Sequence, residues 1–159
     1  MQKKNLFAII LLVVFVVTSL PVAAYFGIVV TNNSIANQLE KELKVYPLPD
    51  NTVFLDSISI AGKLVGNGNG MQYMGSVLVS SDLSEEELYE YYSESFDNVE
   101  VRKQESAAID FLNSAGYGFE LFGDPDHHAH YSVTCWGSPK DVGMGKWMTV
   151  LLDMDLRGH

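Results

Sequence analysis

The chain has 159 residues and a net charge of −10, with 20 Asp or Glu against 10 Lys or Arg. Charge alone therefore gives it no hold on nucleic acid through phosphate neutralisation and no attraction to an anionic lipid surface. Cations and basic partners are its favoured company. The lone cysteine, Cys135, permits no internal disulfide, and with no Cys directly following the apolar N-terminal stretch a lipid-modified anchor is excluded as well.

Residues 1–5 form a short basic stub with Lys3 and Lys4. Leu6 to Val30 follows, 25 residues without a charge, interrupted only by Thr18, Ser19, Pro21 and Gly27. As a helix it would be about 38 Å long, enough to cross a hydrocarbon core of about 30 Å with some tilt. A cleaved signal peptide competes with this reading, because Pro21-Val22-Ala23-Ala24 suits cleavage before Tyr25. The apolar run continues past that point to Val30, well beyond a signal core of about 7–15 residues, and this favours an uncleaved anchor. All 20 acids and the other eight basic residues lie after residue 30, so the positive-inside rule places the N-terminus in the cytoplasm and residues 31–159 outside the cell membrane. Ser19, Ala23 and Gly27 recur at every fourth position, a spacing that lets two membrane helices approach closely and suggests weak homo-association.

Residues 31–49 are expected to form a juxtamembrane helix and linker. Asn32-Asn33-Ser34 offers a cap for a helix from Ile35 to Lys44, with an apolar stripe of Ile35, Leu39 and Leu43 and a Glu40–Lys44 pair. The same segment also fits a simple continuation of the membrane helix. The stripe suits either a dimerising stalk or a helix resting on its own domain. Pro47-Leu48-Pro49-Asp50-Asn51 ends it.

Residues 50–159 are long enough for one domain with its own core. Thr52 to Val65 predicts a strand, with Ile58, Ile60 and Leu64 on one face and Ser57, Ser59 and Lys63 on the other. Met71, Tyr73, Val77 and Val79 alternate with polar residues after Gly66-Asn67-Gly68-Asn69-Gly70, which predicts a hairpin. The physics argues against a phosphate loop there and for a turn, because the glycines lead into a strand and no Gly-Lys-Ser/Thr follows. Ser84 and Glu87 make a capping box flanked by Leu83 and Leu88, and predict a helix from Glu85 to Phe96 that buries Leu88, Tyr91, Tyr92 and Phe96. Val99–Lys103, Gly118–Phe122 and Tyr131–Trp136 predict strands, while Ser106–Ser114 fits a helix or a strand. Gly137–Lys146 is a loop. Trp147 to Leu156 alternates Met148, Val150, Leu152, Met154 and Leu156 with Thr149, Asp153 and Asp155, and predicts a last strand with one wet face. The order β-β-α-β-β-β argues an α+β fold, an antiparallel sheet with one packed helix behind an N-terminal transmembrane helix.

The most chemical-looking segment is Asp124 to His130. Asp126, His127, His128 and His130 could ligate zinc or copper, and a metal-binding module or metal-dependent hydrolase is one reading of the function. No standard zinc signature fits, and the competing reading is a polar turn entering a strand. Cys135 sits mid-strand, the habitat of an inert thiol more than a nucleophile. Trp136, Trp147, Tyr117 and Tyr131 could stack on sugars, which makes a cell-wall glycan binder a further reading. No convergent catalytic set accompanies the fold signature. The leading expectation is therefore a single-pass membrane protein with an exported non-enzymatic domain that binds or assists another envelope protein.

Tyr46-Pro47-Leu48-Pro49, Gly66 to Tyr73 and Ser81 to Leu88, behind the N-terminal anchor, resemble small membrane-anchored proteins of low-GC Gram-positive bacteria over residues 46–92. The resemblance implies a location and carries no activity.

Overall fold

The computed structural model describes residues 3–64, 70–104, 129–141, 143 and 145–157. In chain order the elements are α1 (Lys3–Val45), β1 (Thr52–Gly62), β2 (Gln72–Ser81), α2 (Glu85–Ser93), β3 (Val99–Gln104), β4 (Ala129–Gly137) and α3 (Lys146–Leu152). Among the described residues the strands form one antiparallel sheet in the order β1-β2-β4-β3. The class is α+β, as expected. The expected turn at Gly66–Asn69, the ambiguous Ser106–Ser114 and the expected strand Gly118–Phe122 lie outside the described residues.

α1 is one continuous helix of 43 residues that passes through Pro21. Among the described residues it is the one helix long and apolar enough to cross a membrane, with a mean hydropathy of 2.8 and none of its apolar window buried. It is thus not the core helix of a folded domain over that stretch. Both threonine hydroxyls are satisfied within the helix, Thr18 Oγ1 donating to the Val14 carbonyl at 2.9 Å and Thr31 Oγ1 to the Gly27 carbonyl at 2.9 Å. Asn32, Asn33 and Ser34, expected to cap a new helix, lie in the interior of α1. Nothing breaks the helix there, because the Asn32 side chain is engaged elsewhere and leaves the backbone ladder alone.

The last third of α1 lies across the sheet. Leu43 joins Val77, Val79, Val101, Tyr131, Val133 and Cys135 from the strands and Leu88 and Tyr92 from α2 in the largest core cluster. Ile35 and Leu39 pack against Ala36, Ala61, Met71 and Tyr73. The Ile35–Leu39–Leu43 stripe therefore rests on its own domain. The Glu40–Lys44 ion pair forms at 3.7 Å, and Ser57 Oγ donates to Glu40 at 2.6 Å. Gly75 makes the contact between helix and sheet very close. A Cβ there would lie 2.6 Å from the Leu39 carbonyl carbon and 2.8 Å from the Glu40 Cα, both backbone atoms that cannot swing aside.

α2 shares this face of the sheet, packed against β3. Its capping box is formed: Glu87 N donates to Ser84 Oγ at 3.2 Å and Ser84 N to Glu87 Oε2 at 2.8 Å. The helix ends at Ser93, three residues earlier than expected, but Phe96 still reaches the core. Tyr46 at the end of α1 meets the rings of Tyr91, Tyr92 and Phe96 at centroid distances of 5.2–5.7 Å, which joins the two helices.

β2, flanked by β1 and β4, is buried on both faces. Ile60, Met74 and Leu78 form a second cluster, and Ser76 is tolerated beside them because it hydrogen-bonds Thr134 at 2.8 Å and the Val133 carbonyl at 3.2 Å. The predicted strand Trp147–Leu156 is instead α3 followed by a turn. Val150-Leu151-Leu152 breaks the two-residue alternation, and Trp147, Val150, Leu151 and Met154 also satisfy the i, i+3, i+4, i+7 helical spacing.

The C-terminal segment is tied to α1 by a buried polar network. Asn32 is fully buried; its Nδ2 donates to the Leu152 carbonyl at 3.2 Å and to Asp155 Oδ2 at 2.9 Å, and its Oδ1 accepts from the Tyr73 hydroxyl at 2.8 Å. Arg157 binds Asp155 through Nη2 at 2.7 Å and reaches Asn33 Oδ1 at 2.7 Å. Burial by itself raises the Asp155 pKa, but the hydrogen bonds from Arg157 and Asn32 outweigh it and hold the carboxyl below its ordinary value.

Three outcomes are expected from this packing. Gly75→Ala pushes α1 off the sheet and destabilises the domain by about 2 kcal/mol. Gly27→Ala, with nothing within 4 Å of the new methyl group, leaves the melting temperature of the detergent-solubilised chain unchanged. The ionised Asp155 contributes stability that is fully present above the unfolded carboxylate pKa of about 3.9 and is lost as pH falls through the lower folded value. Denaturant midpoints measured between pH 6 and pH 2.5 should thus show an acid loss that is smaller in Asp155→Asn.

Candidate functional site

A cleft of about 330 Å³ opens where α1 crosses the end of the β2–β4 pair and meets the turn after α2. Ile35, Leu39, Tyr73, Phe96 and Cys135 provide apolar surface, and Trp136 and Gly137 close one side. Gln38, Glu42, Asp97, Asn98 and Asp141 supply the polar lining. Three of these carry carboxylates and none of the described lining residues is basic, so the cleft suits a ligand with an apolar body and a cationic end.

Each wall is fixed by packing established above. The α1 face is held by the Gly75 approach, which sets the helix height over Tyr73. Asn98 is held through its carbonyl, which accepts from Trp136 N at 3.0 Å. The Trp136 indole donates to Glu100 Oε2 at 3.2 Å. Asp141 accepts from Ser138 N at 2.7 Å and from Ser138 Oγ at 2.8 Å, which orients its carboxylate at the rim. Gln38 donates to Glu42 at 2.9 Å along the helix.

Cys135 lines the cleft as a buried free thiol. Burial, reinforced by the Glu42 carboxylate, pushes its pKa up to about 12. It is protonated at neutral pH and is not an activated nucleophile. Iodoacetamide at pH 7.5 should modify it at least about 100-fold more slowly in the folded chain than in denaturant, as read by mass spectrometry.

Asp126, His127 and His128 of the expected metal-ligand set lie outside the described residues. His130 lies on β4, opposite Ser80 and Gln104. Its Nε2 is buried and has no hydrogen-bond partner among the described residues. Among those residues no group of three or more His, Cys, Asp or Glu is placed to hold a metal ion. The aromatic residues suggested for sugar stacking do not converge where described. Tyr131 is buried in the cluster beneath the helices, Trp136 packs with the cluster on the opposite face, and Trp147 is exposed on α3; Tyr117 lies outside the described residues.

The cleft residues come from α1, the turn after α2, the end of β4 and the loop beyond it. No linear motif connects them. Asp97 looks like a solvated helix-end carboxylate in the sequence, and Glu42 and Asp141 carry no spacing signal. The chain matches no protein-family model, no curated protein and no solved structure.

Proposed function

We propose that this is a single-pass membrane protein, N-terminus in the cytoplasm, whose exported α+β domain is a non-catalytic module that binds another envelope protein. The observation that carries this reading is the continuity of α1, which runs as one helix from an exposed apolar stretch into the core of the domain. A domain built around its own anchor is held close to the membrane at a fixed orientation, which suits recognition of a neighbour in the same membrane. Lys3 and Lys4 before the apolar stretch support the orientation. The resemblance of residues 46–92 to small membrane-anchored proteins of low-GC Gram-positive bacteria supports the location. The acidic, apolar-floored cleft is the proposed contact, and its partner chemistry is a basic side chain carried on an apolar segment. The Ser19–Ala23–Gly27 face adds a route to weak self-association in the bilayer.

A photo-crosslinking residue placed at Gln38, at the exposed edge of the cleft, should give a discrete adduct with a membrane-associated protein in host cells. The same residue at Glu90, on the exposed face of α2, should not. Equal adducts from both positions, or none from Gln38, would overturn the assignment of the cleft.

A further inference from the structure

We propose that α3 and the residues that follow it lie in the bilayer interface, so that the protein holds its membrane through both a span and a C-terminal interfacial anchor. This rests on the reading of α1 as a transmembrane helix. Trp147, Val150, Met154 and Leu156 are 66%, 63%, 55% and 67% exposed, an apolar surface on a segment that is otherwise well anchored. Trp147, Val150, Leu151 and Met154 follow the spacing of one helical face. The opposite side is held: Leu152 is buried and its carbonyl accepts from Asn32. The apolar face is therefore presented by a fixed helix.

The occupant follows from position. Asn32 is two residues beyond Val30, the last residue of the apolar stretch, about 3 Å of helix rise. Its hydrogen bond to the Leu152 carbonyl, 3.2 Å, places the end of α3 at the level where α1 leaves the hydrocarbon. Arg157 bonded to Asn33 holds the following residues at the same level, and α1 and α3 are in direct contact. An apolar face at that level meets the interfacial region of the bilayer, where a tryptophan ring is favoured.

Charge does not oppose this, although the domain as a whole is acidic. Lys146 and Arg157 balance Asp153 and Asp155 within the segment. Both carboxylates are engaged inward, Asp153 Oδ1 accepting from Met71 N at 2.7 Å and Asp155 held by Asn32 and Arg157. The attraction is burial of apolar surface and does not need anionic lipid.

The test uses the full chain carrying Trp136→Phe, reconstituted in phosphatidylcholine vesicles with brominated acyl chains, so that Trp147 is the sole reporter. Shallow bromines should quench Trp147 about twofold and deep bromines less, as expected for a depth of about 5–10 Å. The same result should hold when a quarter of the lipid is phosphatidylglycerol. A control chain with Trp136→Phe, Trp147→Phe and Phe15→Trp reports on α1, and deep bromines should quench it more. A quenched control with an unquenched Trp147 overturns the interfacial anchor and leaves the span standing. If neither is quenched, the span fails and the proposal falls with it. A blue-shifted, unquenched Trp147 that turns water-exposed on dilution assigns the face to a second copy and also overturns the proposal. Should Trp136→Phe not fold, the quenching difference between the native chain and Trp147→Phe reads the same residue.

Discussion

The α1 backbone passes over Gly75 at a distance that leaves no room for a methyl group. From that contact the rest of the domain can be built. It sets the height of the helix over the sheet, and with it the reach of Leu43 into the main core and of Leu39 onto Tyr73. Helix–sheet packing usually needs a layer of side chains on both sides. Here a glycine on the central strand lets the helix sink until backbone meets backbone, and the large residues around it, Tyr73, Val77 and Val133, fill the flanks. The long helix and the core are in consequence continuous.

The second constraint is the buried network around Asn32. Taking an amide and a carboxylate out of water is costly unless every polar atom is met. Asn32 meets Leu152, Asp155 and Tyr73 at once, and Arg157 supplies the positive charge that keeps Asp155 ionised. Such a network has one satisfied arrangement and many unsatisfied ones, so it specifies position more than it adds stability. It sits in the first turn of α1 after the apolar stretch. Its effect is to lock the C-terminal segment to α1 just beyond the apolar stretch.

These two constraints give the domain a defined lower and upper end. At the lower end, α3 and its apolar face lie beside the emerging helix. Further up α1, beyond Ile35, the cleft opens between helix, sheet and the turn after α2, with carboxylates from three separate parts of the chain. On the proposed reading of α1 as an anchor, a cleft walled by that same helix would be presented at a fixed height, which would favour a partner held in the same bilayer.

What the sequence determined by itself were the features whose energy is local. The apolar run from Leu6, the Ser84–Glu87 capping box, the alternation around Ile58 to Val79 and the Glu40–Lys44 pair all depend on neighbours within a few residues, and each is found in place. Tertiary structure decided what local patterns leave degenerate. Trp147 to Leu156 satisfies both a strand and a helix period, and contact with α1 settles it as a helix. Asn32 has the composition of a helix cap and becomes a buried hub because Leu152 and Asp155, more than a hundred residues away in the chain, arrive to bond it. The cleft has no linear signature, since Glu42, Asp97 and Asp141 stand on α1, on the turn after α2 and on the loop after β4, which only the folded chain brings together. Short-range energies are written in sequence spacing; meetings between distant segments depend on the packing of the whole core, and no spacing encodes them.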